Sequence, residues 1–339
     1  MALQVTAAQI PLSGDKVAAR IPMQQIGNSR HSAASRLLRR FGEVLVSICE
    51  THQWIPVLLD YIGVRRLAYP YELVLRTGER LTLREHMDTV VFWLIFVRRH
   101  YPVDSSYAVI LDIGANIGMF TLYAAREALN ARVIAIEPFP ETCEKLQEHV
   151  ETNHLKHRVT IVNCAVTGKA GGATMDSAKR IPSQYRRIHA PETATLNAAH
   201  RGSAGAQHDQ DGVSVRTQTL EEVLDQCGVG TADFVKMNIH GSEYDVLLST
   251  GADVLKRCRT IAVQYHTLPK EMKTGKQEIF DHLKGSGFGL LFDNDTHRGT
   301  GCALLASSTD KVVQGTTKGV ASGCQEASAA TAGRFGRSR

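Results

Sequence analysis

Apolar and polar residues follow two different patterns along the chain, and the first fills residues 34–106. Between residues 34 and 52, apolar side chains recur at the spacing of one helix face, namely Leu37, Leu38, Phe41, Leu45 and Ile48. The segment YELVLRTGERLTLR predicts a β-hairpin, in which leucines on either side of Thr77-Gly78 face one another. A second helix is expected at about 87–97. Together these elements predict an N-terminal cap on the domain that follows.

From residue 107 onward, buried strands alternate with helices. Apolar runs predict five strands, whose sequences are AVILDIG, ARVIAIEP, RVTIVNCAV, DFVKMNI and TIAVQYH. Helices are expected over 120–129 and 141–153, after a capping box at Thr219 and Glu222, and from about Ser242. This order is typical of an α/β fold with a doubly wound, mostly parallel sheet. The closing segment GFGLLFDNDTHRGTGCALLAS predicts two strands that supply one antiparallel edge strand.

Three segments lack this periodicity. Residues 1–33 are polar and contain Pro, Gly, Ser and Arg, which predicts a disordered arm. Residues 308–339 are rich in Ser, Ala, Gly and Thr, which predicts a disordered tail. A polar stretch over 168–212 interrupts the alternation of strands and helices without ending it. The α/β domain is therefore expected to cover residues 107–307.

Composition excludes several classes of protein. A hydrophobic fraction of 43% and a charged fraction of 22% are ordinary for a globular protein, and a net charge of +5 is too small for a nucleic-acid-binding surface. The seven cysteines form no C-x-x-C pair, so neither a disulfide framework nor a zinc site is indicated. We find no secretory signal and no apolar run long enough to span a membrane, so we expect a cytoplasmic protein.

The segment VILDIGANIGMF joins a buried strand to a helix through a glycine-rich turn. Glycines let the backbone approach a ligand closely, and the free N–H groups at a helix N-terminus favour an anion such as a carboxylate. Asp112, at the end of the strand, is expected to hold a cationic group such as an ammonium. The turn itself predicts a cofactor site formed by Gly114, Ala115, Asn116 and Gly118.

A second acidic residue stands at the end of the next strand. Glu137, followed by Pro138, is placed to accept hydrogen bonds from both hydroxyls of a ribose. The turn has the spacing D-x-G-x-N-x-G rather than the G-x-G-x-x-G of dinucleotide-binding folds, which favours S-adenosylmethionine over a nicotinamide cofactor. Asn163 and Ala165 follow the third strand, where an adenine ring is expected. A glycine turn used only for packing is the alternative.

With these residues in view, the sequence resembles the FkbM family of methyltransferases over about residues 71–307. The resemblance rests on VILDIGANIGMF, the Glu-Pro pair of AIEPFP, NCAV, and FVKMNIHGSEYDVL. It implies a Rossmann-like class I fold with a seven-stranded sheet, S-adenosylmethionine as the methyl donor, and O-methylation of sugars or secondary metabolites. One departure is clear: the family pattern Lys-x-Asp-x-Glu-Gly-x-Glu has Asn238 in place of Asp and His240 in place of the first Glu.

Polar residues at the end of the fourth strand carry the expected chemistry. Lys236, Asn238 and His240 alternate, so we expect them on one side of the sheet beside the cofactor. His240 is the candidate general base, since imidazole suits proton transfer near neutral pH, and Asn238 is expected to orient substrate or cofactor. Lys236 and Glu243 are expected to form a supporting ion pair or to steady developing charge; a purely structural pair is the alternative.

His266, at the end of the fifth strand, is a second candidate base, unless it is a strand-end histidine satisfied by the backbone. No metal site is expected, because Asn238 and His240 replace two carboxylates. The leading hypothesis is an S-adenosylmethionine-dependent O-methyltransferase acting on a small hydroxylated molecule. A cofactor-binding domain that has lost turnover and serves as an interaction or regulatory subunit is the alternative, and a nicotinamide-dependent oxidoreductase is disfavoured.

Overall fold

The structure is a computed structural model that describes residues 33–175, 188–189, 213–266, 275–295 and 301–307. The predicted arm lies outside these residues except for Ala33, with which the first helix begins. The predicted tail and most of the polar stretch over 168–212 also lie outside them. Within the described part of the chain, no helix is both long enough and apolar enough to cross a membrane.

The N-terminal cap contains the predicted helix, hairpin and second helix, and one helix that the sequence pattern missed. Its elements are α1 (Ala33–Glu50), α2 (Trp54–Tyr61), β1 (Tyr71–Val74), β2 (Arg80–Leu83) and α3 (His86–Phe92), followed by a π-helical turn (Trp93–Val97). In the hairpin, Leu73 pairs with Leu81 and both are fully buried. The missed helix is α2.

The α/β domain opens with three strands and two helices at the predicted places: β3 (Val109–Ile113), α4 (Met119–Glu127), β4 (Arg132–Ile136), α5 (Pro140–Thr152) and β5 (Val159–Val162). The apolar run predicted as one third strand is divided, because after β5 the chain leaves the main sheet. It enters a small second sheet made of β6 (Ala165–Val166), β7 (Gly171–Met175), β8 (Ile188–His189) and β9 (Val213–Gln218). The sequence pattern did not indicate this second sheet.

The second half of the domain contains α6 (Leu220–Gln226), β10 (Ala232–Met237), α7 (Glu243–Ser249), α8 (Ala252–Leu255), β11 (Cys258–Tyr265), α9 (Lys276–Gly285), β12 (Phe288–Asp295) and β13 (Gly301–Ser307). Helix α6 begins with the predicted capping box: the Thr219 hydroxyl accepts a hydrogen bond from the Glu222 N–H, and the Glu222 carboxylate accepts one from the Thr219 N–H.

The main sheet has seven strands in the order β12-β13-β11-β10-β3-β4-β5. Strands β11, β10, β3, β4 and β5 are parallel to one another. Strand β13, second from one edge of the sheet, is antiparallel to both of its neighbours, β11 and the edge strand β12. The predicted seven-stranded, mostly parallel Rossmann-like fold is confirmed. One apolar layer joins this sheet to the cap, α4 and α5, and another packs α6–α9 against the opposite face.

Hydrogen bonds fix the cap to the α/β domain. The His149 ring on α5 accepts from the Thr82 N–H of the hairpin through Nε2 (2.9 Å) and donates from Nδ1 to the Ile117 carbonyl (2.7 Å). Nearby, the Asn153 side chain exchanges two hydrogen bonds with the backbone of Arg80 (2.7 and 2.8 Å). The hairpin is thus held to the turn between β3 and α4, for which the sequence predicts a cofactor site.

Candidate active site

A cavity lies at the carboxyl ends of β3, β4 and β10, on the side that the cap covers. The sheet contributes the turn after β3, Glu137 and Pro138 after β4, and Lys236, Asn238, Ile239 and His240 at the end of β10. The cap contributes Asp88, Val91, Ile95 and Tyr101. Ligands of open α/β sheets bind at the carboxyl ends of the strands, so the cavity stands where the sequence analysis placed the cofactor.

The turn after β3 approaches its neighbours so closely that glycine is required at Gly114. Its φ angle is +77°, and a Cβ atom there would lie 2.2 Å from the backbone oxygen of Asn238. Asn116 has a φ of +50°, in the left-handed region that Asn tolerates better than most residues. Gly114, Ala115 and Asn116 all line the cavity. Gly118, with a φ of +91°, precedes α4 and packs against Leu146.

The carboxylate of Glu137 faces this turn. Its Oε2 accepts from the Asn116 N–H (2.9 Å) and its Oε1 accepts from the Phe139 N–H (3.1 Å). Burial raises the pKa of Glu137 to about 7, although these two backbone hydrogen bonds act in the opposite direction. Each carboxylate oxygen has a second acceptor position, so the group can also take hydrogen bonds from two hydroxyls of a ligand.

The Asp112 carboxylate is bonded to groups inside the protein. It is fully buried, accepts from the Lys236 ammonium (2.8 Å) through Oδ1, and accepts from the Thr121 hydroxyl (2.7 Å) through Oδ2. Lys236 also donates to the carbonyl of Gly114 (2.7 Å). The predicted ion pair between Lys236 and Glu243 is therefore wrong. Lys236 lies directly opposite Asp112 in the pairing of β10 with β3, and this register is not visible in the local sequence.

Asn238 also lines the cavity, but β10 ends before it, at Met237. Its Nδ2 donates to Gln264 Oε1 (3.0 Å), which also accepts from the Tyr101 hydroxyl (3.1 Å). Its Oδ1 is buried and has no hydrogen-bond partner among the described residues. Sequence reasoning missed Gln264 and Tyr101. The available signal was Gln264 itself, a polar residue in the apolar strand TIAVQYH.

The structure brings the two candidate bases together. The rings of His240 and His266 have centroids 4.8 Å apart, and His240 lines the cavity with a φ of +53°, beyond the end of β10. The buried Glu243 carboxylate accepts from His266 Nδ1–H (2.7 Å) and from the backbone N–H groups of His266 (2.8 Å) and Gly241 (2.7 Å). His266 therefore bonds to a carboxylate, and the alternative of a histidine satisfied by backbone alone is wrong.

Asn163 and Ala165 lie outside the cavity. The Asn163 amide donates to the backbone oxygens of Glu137 (2.9 Å) and Pro138 (3.0 Å). Ala165 is buried on β6, where it pairs with Thr217 in the second sheet. Asn163 thus holds the backbone next to Glu137, and its contact with an adenine ring stays a prediction.

Comparison with known proteins identifies the family. A family model described as Methyltransferase FkbM domain matches residues 112–290, just over half of the chain. The match begins at Asp112 and includes the turn after β3, Glu137 and the cluster at the ends of β10 and β11. The chain belongs to the FkbM methyltransferase family.

Curated relatives support this membership. The chain is 28% identical over 203 residues to the 31-O-demethyl-FK506 methyltransferase FkbM of Streptomyces tacrolimicus, covering 55% of this chain and 75% of that protein. It is 26% identical over 186 residues to the methyltransferase sdnD of Sordaria araneosa, covering 50% of this chain and 71% of that protein. It is also 25% identical over 248 residues to the AMB antimetabolite synthetase AmbE of Pseudomonas aeruginosa, covering 66% of this chain but spanning only 12% of AmbE.

A solved FkbM methyltransferase from Methylobacillus flagellatus aligns with a TM-score of 0.38 at 14% identity, covering 80% of this chain and 60% of that chain.

Among the described residues, no group of three or more His, Cys, Asp or Glu side chains is placed to hold a metal ion. Two positions where the FkbM pattern has carboxylates carry Asn238 and His240, which leave the cavity with an amide and an imidazole at the end of β10.

Proposed function

We propose that the protein transfers the methyl group of S-adenosylmethionine to a hydroxyl oxygen of a small molecule. The proposal is carried by the placement of the Gly114–Asn116 turn and the Glu137 carboxylate on one cavity. A carboxylate at the end of the second strand suits the two hydroxyls of a ribose. The turn lacks the third glycine of dinucleotide-binding loops, which favours a nucleoside cofactor without a pyrophosphate.

The imidazole groups after β10 and β11 suit removal of a hydroxyl proton. When bound, S-adenosylmethionine supplies an electrophilic methyl carbon. His240 would take up the hydroxyl proton while the oxygen displaces sulfur at that carbon, the carbon–sulfur electron pair going to sulfur. His266 is the second candidate base, because Glu243 holds its Nδ1–H and so directs Nε2 away from the carboxylate. Alignment of the hydroxyl with the methyl carbon supplies much of the acceleration.

One relative and Asn238 support a proposal for the acceptor class. The name of the Streptomyces FkbM relative places its methyl group on an oxygen of FK506. In this chain, the buried Asn238 Oδ1 has no partner among the described residues and can accept a hydrogen bond from a ligand. We therefore propose that this protein methylates a neutral, hydroxylated acceptor such as a sugar or a secondary metabolite.

The test is transfer of a labelled methyl group. Purified protein is incubated with S-adenosylmethionine carrying ¹³C in the methyl group and with a panel of sugars and hydroxylated metabolites. The proposal expects a product in which a labelled methyl group replaces the hydroxyl hydrogen. The ¹³C chemical shift of this group should be that of a methyl ether. Methylation on nitrogen or carbon would contradict the assignment to oxygen, and absence of product together with absence of S-adenosylmethionine binding would contradict the whole proposal.

A second candidate is a cofactor-binding domain without turnover that acts as an interaction or regulatory subunit. It is favoured by Asn238 and His240, which replace two carboxylates of the family pattern. Binding of S-adenosylmethionine without methyl transfer to any acceptor, in wild-type protein and in the Asn238→Asp, His240→Glu double variant alike, would favour this candidate. Gain of transfer in that double variant would show that the two substitutions suppress activity.

A further inference from the structure

The proposed cofactor carries an amino-acid moiety whose ammonium needs an anionic partner inside the cavity. An unpaired ammonium that leaves water is strongly destabilised. The sequence pointed to Asp112, but this residue is fully buried, is paired with the Lys236 ammonium, and is not among the residues that line the cavity. Another group must therefore bind the ammonium, if the proposed function holds.

Two acidic side chains line the cavity among the described residues, Glu137 and Asp88. Glu137 follows β4, the position suited to a ribose, and the proposed function already assigns its two free acceptor positions to the ribose hydroxyls. Asp88 comes from the opposite side, on the first turn of α3 in the cap. The cavity thus has one carboxylate on the sheet and one on the cap.

The surroundings hold the Asp88 carboxylate in place. Its Oδ2 accepts from the N–H groups of Arg84 (2.7 Å) and Glu85 (3.2 Å), and the second of these bonds is half of a capping box. Both hydrogen bonds that the described residues make to this carboxylate end on Oδ2, which leaves Oδ1 for a ligand. Val91 and Ile95 add apolar surface to the same wall of the cavity. An ion pair formed in such an environment is less screened than one in water.

We infer that Asp88 binds the ammonium of the amino-acid end of S-adenosylmethionine. The cap therefore supplies the anionic partner of the cofactor, and the bound cofactor connects the cap to the sheet. Burial raises the pKa of the Asp88 carboxyl to about 6, as expected for a carboxylate held away from water, and a bound ammonium would favour its ionised form. Asp112 and Lys236 instead hold the turn after β3 in shape.

The test compares two ligands on two proteins by isothermal titration calorimetry at pH 8. The ligands are S-adenosylhomocysteine and its deaminated analogue, in which hydrogen replaces the ammonium. The proteins are the wild type and Asp88→Asn, whose amide oxygen can still accept the two capping hydrogen bonds. Glu85→Gln is the matched control, because it removes the neighbouring carboxylate at the same helix terminus and keeps an acceptor there. Thermal unfolding of each variant confirms that it is folded.

In the wild type, S-adenosylhomocysteine is expected to bind about 10- to 100-fold more tightly than the deaminated analogue, the range of a charge-assisted hydrogen bond. Asp88→Asn should reduce this preference to about threefold or less, whereas Glu85→Gln should retain it. A preference that survives in Asp88→Asn, or no preference in the wild type, would overturn the assignment of Asp88 while leaving the cofactor intact. If the wild type binds neither ligand, the proposed function fails together with this inference.

Discussion

Lys236 and Asp112 lie directly opposite each other on the neighbouring strands β10 and β3, and their side chains are joined by a 2.8 Å ion pair that is almost wholly buried. The pair stands at the base of the turn after β3, because Lys236 also bonds to the carbonyl of Gly114. It explains two polar residues in strands that are otherwise apolar. It also places both residues in the architecture of the site, where Lys236 lines the cavity.

The first prediction concerns this pair. Asp112→Asn should lower the free energy of unfolding by about 3–5 kcal/mol, because removing one partner leaves the Lys236 charge buried and unpaired. Asp112→Asn combined with Lys236→Met should recover part of this loss, since no charge then remains. Urea unfolding of wild type, both single variants and the double variant measures the coupling energy. Additive losses in the double variant would show that the two side chains do not depend on each other.

Glu137 predicts a dependence of stability on pH. Its folded-state pKa of about 7 lies above its ordinary value of 4.5. Between these two values the unfolded chain releases the Glu137 proton while the folded protein retains it. The contribution of Glu137 to the free energy of unfolding is therefore full below about pH 4.5 and is lost as pH rises to about 7.

The measurement for Glu137 is urea unfolding of wild type and Glu137→Gln from pH 4.5 to 8. The glutamine keeps a neutral acceptor in place, so the difference between the two proteins isolates the titration of Glu137. Relative to the variant, the wild type should lose stability as pH rises, by up to about 3 kcal/mol. A difference that stays constant over this range would contradict the raised pKa.

His149 predicts a link between the cap and the cofactor site. Its neutral ring donates to the Ile117 carbonyl and accepts from the Thr82 N–H, and burial lowers its pKa. His149→Ala leaves these two backbone groups without their partner, which should cost about 1–3 kcal/mol. Hydrogen exchange should show faster exchange at the Thr82 amide in this variant. Unchanged protection there would mean that the ring does not hold the hairpin.

The same lowered pKa sets the direction of the pH dependence at His149. Below its ordinary pKa of 6.5, the unfolded state gains a proton that the folded state does not yet bind. Stability contributed by His149 is thus present above that pH and lost as pH falls toward the folded pKa. Wild type compared with His149→Gln should show this loss on the acidic side, opposite in direction to the loss from Glu137.

The histidine pair predicts a loss of turnover without loss of cofactor binding. His240→Ala should reduce kcat by about 10²- to 10⁴-fold if His240 is the base, because general-base catalysis contributes that much. His266→Ala and Glu243→Gln should then have smaller effects on kcat. Steady-state assays of methyl transfer, with the acceptor identified in the labelled screen, rank the three variants by their loss of kcat. The reverse order would assign the base role to His266, held by Glu243.

Local pattern predicted the seven strands of the main sheet and helices α4 to α7, because these segments carry apolar runs or periods and end signals of their own. It did not predict α8 and α9. The turn after β3 and Glu137 were found in the same way. Pairings across the sheet could not be predicted: Asp112 and Lys236 are 124 residues apart, and their contact depends on the register of β10 with β3. The same holds for Tyr101 and Gln264, which meet 163 residues apart.

The cap shows a second reason why part of the structure could not be predicted from the sequence. Helix α2 was missed because it has only eight residues, with Pro56 among them. A segment of this length is too short for a helical period to distinguish it from a loop. Asp88 carries no motif that marks it as a ligand-binding residue; only the tertiary structure shows that it lines the same cavity as the turn after β3. Sequence patterns thus located the part of the cavity that the sheet contributes, whereas the groups contributed by the cap required the tertiary structure.

The most direct measurement of the central claim is calorimetric titration of the wild-type protein with S-adenosylmethionine and, separately, with NAD, alongside Glu137→Gln. The account predicts that S-adenosylmethionine binds, that NAD does not, and that Glu137→Gln weakens the binding by about 10-fold or more, since the variant loses charge-assisted hydrogen bonds to the ribose. Binding of NAD in preference to S-adenosylmethionine, or binding of neither, would contradict the assignment of this cavity to a methyl donor.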